Sequence, residues 1–292
     1  MTGAIINPLM LLSLGRCGTT LLMNYLSCQP EIVAFRAYPF ETRVAQYYAH
    51  VAGVLSGPAV GNAGELHNTI IAGKPWVTGN PYPEQAGPEW HRNEFSPRLV
   101  SLSRDSIRHA YENESQRQGK APKYFLEKSH VLTPAPRYLE KMFSGYREIY
   151  LVRDPRAIVA SIITFNRKRG YDGFGIEASP VDEFTEGLCQ TFREVRRRTK
   201  EDGSALIRYE DLVISPDEVL SNLLESIGIA PDGETVRNII ARVTDMSDIR
   251  DLHATTGNNR ESLDSWKANL PSSYETAINS SIGELMKDFG YR

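Results

Sequence analysis

Pro8-Leu9-Met10-Leu11-Leu12-Ser13-Leu14-Gly15-Arg16-Cys17-Gly18-Thr19-Thr20-Leu21-Leu22 reads as an apolar run of strand length, a turn of small residues and the opening of a helix. The helix starts at Thr19 or Thr20 and carries Leu21, Leu22, Tyr25 and Leu26 as its apolar face. A strand, a glycine turn and a helix start together make an anion site. The first backbone N–H groups of a helix lack partners within it, and its dipole favours negative charge there. Gly15 and Gly18 let the backbone approach a phosphate closely, Arg16 adds a charge, and Thr19 and Thr20 add hydroxyl donors. The same pattern also serves as an ordinary strand-to-helix turn in an α/β protein, so the rest of the chain has to choose.

What the loop lacks narrows the chemistry. A nucleotide triphosphatase loop reads G-x-x-x-x-G-K-[ST], its lysine reaching the β- and γ-phosphates. Here Thr19 follows Gly18, and the cation sits earlier, at Arg16. A cysteine phosphatase pairs its cysteine with an arginine further along the loop, where this chain has Met23.

Composition bounds the rest. With 292 residues and 41% hydrophobic content, the chain has ample core for one α/β domain, with or without a subdomain. A net charge of −3 points away from nucleic acid and acidic membranes, so an anionic ligand needs a local basic pocket. Cys17, Cys28 and Cys189 lack C-x-x-C spacing, which argues against a disulfide framework or a zinc site, and no metal is expected. The first apolar run is too short to span a membrane and has no basic leader or A-x-A cleavage site.

Along the chain, a helix is expected from Thr20 to Ser27 and another through Tyr47, Tyr48 and Val51. From Gly53 to about Pro97 glycine and proline are dense and interleaved with Trp76, Tyr82 and Trp90, which favours an ordered functional segment over a linker. A helix follows from Ser103 to Gln118, then strands at Tyr124–Lys128 and Arg147–Val152. Asp154 is placed to cap the next helix, with Pro155 in its first turn and Ile158, Val159, Ile162 and Ile163 along it. Another helix begins at Ser179-Pro180 and stacks Phe184, Leu188, Phe192 and Val195. A strand at Ala205–Tyr209, a capping-box helix at Ser215-Pro216-Asp217-Glu218 and a last helix from about Ser273 complete the pattern. Strands alternating with helices imply a parallel sheet covered on both faces, whose ligands bind at the carboxyl ends of the strands.

Arg153 leaves one such strand end, and Ser161 lies two turns along the following helix. An arginine fork and a hydroxyl suit a phosphate monoester. Gly15-Arg16-Cys17-Gly18-Thr19-Thr20 resembles the 5′-phosphosulfate loop of sulfotransferases that use 3′-phosphoadenosine 5′-phosphosulfate (PAPS). Arg153-Asp154-Pro155-Arg156 with Ser161 resembles their 3′-phosphate motif. Arg208-Tyr209-Glu210-Asp211-Leu212 resembles their Y-E-D-L segment, which implies that Tyr209 lies against the adenine. Arg260-Glu261-Ser262-Leu263-Asp264-Ser265-Trp266-Lys267 resembles the loop before their W-K pair. It lacks the R-K-G triplet of the cytosolic enzymes, so Arg260 and Trp266 stand either as phosphate contacts or, for Trp266, as a packing anchor.

The resemblance implies a P-loop-like sulfotransferase fold over residues 1–292, with residues 53–120 as an acceptor-binding cap. It implies metal-independent, in-line transfer of a sulfuryl group from PAPS to a hydroxyl of a small-molecule acceptor, with 3′,5′-ADP released and the enzyme in the cytoplasm, where PAPS is available. The base is open between two residues. Glu127-Lys128-Ser129-His130 resembles the K-T-H of cytosolic sulfotransferases, in which Lys128 neutralises the bridging oxygen and His130 takes the acceptor proton. Phe40-Glu41-Thr42-Arg43-Val44 resembles the E-T-R segment of tyrosylprotein sulfotransferases, in which Glu41 is the base. A nucleotide kinase and a catalytically inactive binding protein are the rival readings. Cys17, at a helix N-terminus, is expected to have a lowered pKa and to make the enzyme sensitive to oxidation.

Overall fold

The computed structural model describes residues 6–56, 93–94, 96–200, 204–230, 232–245 and 259–291. β1 (Asn7–Ser13) is buried from Pro8 onward, as an unbroken apolar strand inside a parallel sheet must be. It is the middle strand of five. The order is β2 (Ile32–Val33), β3 (Tyr124–His130), β1, β4 (Arg147–Val152), β5 (Ser204–Arg208), and the β2–β3 and β4–β5 pairs are parallel. β1 is followed by a crossover toward β2 and β3, whereas β4 leads to β5 on the other side. The loops leaving β1 and β4 therefore part at a topological switch point, where such sheets bind ligands.

The helices are α1 (Thr19–Cys28), α2 (Val44–Ser56), α3 (Ser96–Gln118), α4 (Ala135–Met142), α5 (Pro155–Arg169), α6 (Val181–Arg198), α7 (Tyr209–Ile214), α8 (Pro216–Ser226), α9 (Gly233–Asp245), α10 (Glu261–Asp264), α11 (Trp266–Asn269) and α12 (Ser272–Asp288). α3 begins at Ser96, seven residues before the sequence places it. Pro97 sits in its first turn, where a missing N–H costs nothing. The strand expected to reach Tyr209 ends at Arg208, and Tyr209 opens α7. Ser215 precedes α8 as expected, but its side chain makes no cap hydrogen bond; its backbone joins α7 to α8 instead. The sequence pattern does not reveal β2, α4, α7, α9, α10 or α11; of these α9 carries a start signal, since Asp232 accepts the Glu234 and Thr235 amides at 3.2 Å. Trp76, Tyr82 and Trp90 lie outside the described residues, so of the expected cap (residues 53–120) only residues 53–56, 93–94 and 96–120 are described.

The chain divides into two packed units. The first holds Met1–Leu9, Pro30–Glu127 and Thr133–Tyr146. In it Tyr111 of α3 stacks on Phe125 with ring centres 4.2 Å apart, and Phe125 meets the edge of Phe143 at 5.8 Å. Glu127 is buried and caps α2 from across the unit. Its carboxylate accepts the Ala45 amide at 2.6 Å, the Gln46 amide at 3.2 Å, the Gln46 side chain at 2.9 Å and the Tyr111 hydroxyl. Burial holds its carboxyl above the usual range despite these donors.

The second unit holds Met10–Gln29, Lys128–Leu132 and Arg147–Arg292. Ser13 Oγ donates to the Leu151 carbonyl at 2.7 Å and ties β1 to β4. Asp154 caps α5 as expected, accepting the Arg156 amide at 2.9 Å, and Gly170 ends that helix at φ 73°.

Candidate anion-binding site

The loop between β1 and α1 is wound tightly, with positive φ at Arg16 (66°) and Gly18 (89°). Gly18 is the residue before α1, and a glycine has no side-chain oxygen to cap a helix. The first-turn amides at Thr19 and Thr20 are thus left to an outside acceptor. The loop is also crowded. A Cβ on Gly18 would lie 2.3 Å from the Tyr209 ring, and one on Gly15 would lie 2.4 Å from Phe174. At Gly18 glycine is needed for contact as well as for conformation.

Arg16 does not stand apart from the second cradle. Its Nε donates to Ser161 Oγ at 3.2 Å, across 145 residues of sequence, and its guanidinium lies 4.7 Å from the centre of the Phe165 ring. Arg153 completes the cluster from the end of β4. Its Nη1 donates to the Arg16 carbonyl at 3.1 Å, its Nη2 donates to the Ser262 carbonyl at 2.6 Å, and its guanidinium rests 4.6 Å over the Tyr209 ring. The register of β4 on β5 pairs Val152 with Arg208, which brings the next residues, Arg153 and Tyr209, side by side. Arg153 is 5% exposed, and its Nε is buried with no hydrogen-bond partner among the described residues. A buried, unpaired guanidinium N–H is costly unless an acceptor reaches it.

Tyr209 is therefore a packing surface in this structure, wedged between Gly18 and Arg153. Its hydroxyl lies 2.9 Å from Ser262 Oγ. Because Ser262 gives its own proton to the Asn259 carbonyl at 2.6 Å, Tyr209 is the donor. Trp266 lies under the guanidinium of Arg156 at 4.3 Å, and Arg156 is held by both carboxylate oxygens of Asp154. Arg260 is exposed at the start of α10.

On the neighbouring strand Lys128 is buried and His130 is exposed, and the Val131 amide donates to the Ser13 carbonyl at 3.3 Å. His130 Nδ1 accepts the Leu132 amide at 3.2 Å, which puts the proton of the neutral ring on Nε2. Glu41 belongs to the first unit. It is exposed and ion-paired with Arg43, after the cis Tyr38-Pro39 bond and Phe40 at φ 66°.

Cys17 overturns the expectation made for it. It is completely buried, and desolvation pushes its thiol up to about 11, outweighing the opposing effects of the Ser13 hydrogen bond and the Arg153 charge. The helix end alone suggested a reactive thiolate, but the thiol points into the core.

Sequence reasoning passed over Glu210, Ser262 and Phe165, and expected Phe174 only as part of an acceptor-shaping loop from Tyr171. The first two stand inside the quoted motifs, but nothing local says that Ser262 offers its carbonyl to Arg153 or that Glu210 accepts the Asp154 amide at 3.0 Å. Phe174 rides on a loop fastened by Asp172, whose carboxylate accepts the amides of Ile176 at 3.0 Å and Glu177 at 2.8 Å. Among the described residues no group of three or more His, Cys, Asp or Glu is arranged to hold a metal ion, and no helix is long and apolar enough to cross a membrane.

A parallel sheet with a glycine-turned loop and a second arginine converging at its switch point defines an α/β protein with a basic cradle at the carboxyl ends of its strands. The profile of the Sulfotransferase family matches residues 8–233, and the chain belongs to that family. Mouse (Mus musculus) carbohydrate sulfotransferase 3 is 30% identical over 162 residues, covering 50% of this chain and 34% of that protein. The chain thus spans about a third of the length of the curated relatives it matches. Among solved structures, the sulfotransferase domain from the curacin biosynthetic pathway aligns over 96% of this chain and 99% of its own, with TM-score 0.53 at 19% identity. Mouse sulfotransferase SULT7A1 complexed with PAP aligns over 98% of this chain and 86% of its own, with TM-score 0.52 at 12% identity. At these identities the likeness is one of fold.

Proposed function

We propose that this protein transfers a sulfuryl group from PAPS to a hydroxyl of a small-molecule acceptor in the cytoplasm. The observation that carries the reading is the Arg16–Ser161–Arg153 cluster with its buried, unpartnered Arg153 Nε, beside a helix start whose glycine leaves the amides uncapped. These groups fit the two phosphate ends of such a nucleotide: Gly15, Cys17, Gly18, Thr19 and Thr20 hold the sulfated end through backbone amides and hydroxyls. Arg153 and Ser161 hold the ribose phosphate, with Arg16 shared between the two. Arg260 and Trp266 belong to the segment that closes over the ribose phosphate, and Tyr209 borders the adenine.

PAPS supplies the activated sulfuryl group, and the chain supplies charge, alignment and a base. Lys128 neutralises negative charge where the phosphate leaves, in a buried position where a cation counts for more than in water. His130 takes the proton of the acceptor hydroxyl. With Nε2 protonated, the basic nitrogen of the neutral ring is Nδ1, which accepts the Leu132 amide at 3.2 Å in this structure. Glu41 is the less suited base because its carboxylate is already engaged by Arg43.

Isothermal titration in EDTA tests the reading directly: 3′,5′-ADP should bind far more tightly than 5′-AMP, and no ATP should be turned over with Mg²⁺. Equal affinity for the two nucleotides would sink the assignment, and Mg²⁺-dependent ATP turnover would favour a kinase. Cofactor binding without transfer to any member of a screen of hydroxylated metabolites and sugars would favour a binding protein.

A further inference from the structure

The N–H of the residue that caps a helix lies outside the helix ladder and needs a partner of its own. In a capping box that partner is a Glu or Gln three residues along. α5 has Asp154 as cap but Ala157 at the third position, so its own sequence cannot satisfy the Asp154 amide. Glu210, from the first turn of α7, does so instead: its Oε1 accepts the Asp154 N–H at 3.0 Å. Its other oxygen, Oε2, accepts the Tyr291 hydroxyl at 2.9 Å, and the Tyr291 ring is in turn covered by the Arg208 guanidinium at 4.7 Å.

The hydrogen bond to the Asp154 N–H falls on the planar peptide that joins Arg153 to Asp154. Fixing that plane fixes the direction in which the Arg153 side chain leaves β4. We propose that Glu210, held by Tyr291, is a positioning residue for the 3′-phosphate cradle, aligning Arg153 before a ligand arrives; this rests on the reading of the site as a PAPS site. Alignment in advance spares the ligand the cost of ordering the arginine on binding.

The test compares 3′,5′-ADP with 5′-AMP by titration calorimetry in wild type, Glu210→Ala, Tyr291→Phe and the double variant, with thermal unfolding as a check of the fold. The two nucleotides differ only in the 3′-phosphate, so their affinity ratio reads the cradle, whereas general damage weakens both alike. Removing a carboxylate from beside a phosphate would by itself tighten binding, so a loss reports alignment. Glu210→Ala should narrow the ratio about tenfold while leaving 5′-AMP nearly unchanged, as expected for a lost hydrogen bond to a charged group. Tyr291→Phe should narrow it about threefold, and the double variant should be no worse than Glu210→Ala, because Tyr291 acts through Glu210. An unchanged ratio, an equal loss for both nucleotides, or additive effects in the double variant would overturn the proposal. If Glu210→Ala does not fold, Tyr291→Phe, which removes one hydroxyl, decides by the same criterion. A wild-type protein that does not distinguish the two nucleotides would instead overturn the functional reading itself.

Discussion

Gly18→Ala tests the packing on which the site depends. Two costs add at this position. Gly18 has φ 89° as the residue before α1, a left-handed conformation that costs an L-residue about 1–2 kcal/mol. The new Cβ would also stand 2.3 Å and 2.4 Å from two atoms of the Tyr209 ring. That ring cannot swing away cheaply: it is 5% exposed, bonded through its hydroxyl to Ser262 and covered by Arg153. Overpacking of this kind costs roughly 1–3 kcal/mol, so the substitution should lower stability by roughly 2–5 kcal/mol in all. Urea unfolding of Gly18→Ala, Tyr209→Leu and the double variant separates the two costs. The clash vanishes when the ring is removed but the backbone cost does not, so the double variant should be more stable than the sum of the singles predicts by about 1–3 kcal/mol. Additive singles would refute the claim that the tyrosine dictates the glycine.

Gly15→Ala meets Phe174 at 2.4 Å, but that ring is partly exposed, so it can move, and the stability loss by urea unfolding should stay below about 1 kcal/mol. With its thiol pushed up to about 11, Cys17 should be alkylated by iodoacetamide at pH 8 far more slowly than Cys28, and Cys17→Ser should leave oxidant sensitivity unchanged, as peptide mapping and residual activity would show. Burial raises the folded-state pKa of Glu127 above its unfolded value of about 4.3, so the stability that its protonated form contributes is fully present below the unfolded pKa and is lost as pH rises through the folded one. Glu127→Gln should therefore gain melting temperature over wild type as pH rises from about 4 toward neutrality, and parallel melting curves across that range would contradict the assignment.

The legible part of this protein is the part governed by local rules. The apolar run ending in Gly15-Arg16-Cys17-Gly18 announced a buried strand and an uncapped helix, since both depend only on neighbours in sequence. Asp154-Pro155 likewise fixed the start of α5, and the spacing of Ile158, Val159 and Ile162 its buried face. The spacing of Leu188, Phe192 and Val195 fixed the buried face of α6. The short elements escaped because β2 has two residues and α7 six, too few for any period to emerge.

What the tertiary structure alone decided is which groups meet. Cys17 looks like a helix-end thiolate in sequence and is a fully buried thiol in space, where desolvation outweighs the favourable charge and hydrogen bonds. Arg16 finds Ser161, Arg153 finds the carbonyl of Ser262, and Glu210 supplies the cap that α5 cannot supply for itself. A backbone turn is specified by the residues within it. A hydrogen bond across a hundred or more residues depends on strand order and register, and those are set only when every layer of the core has packed.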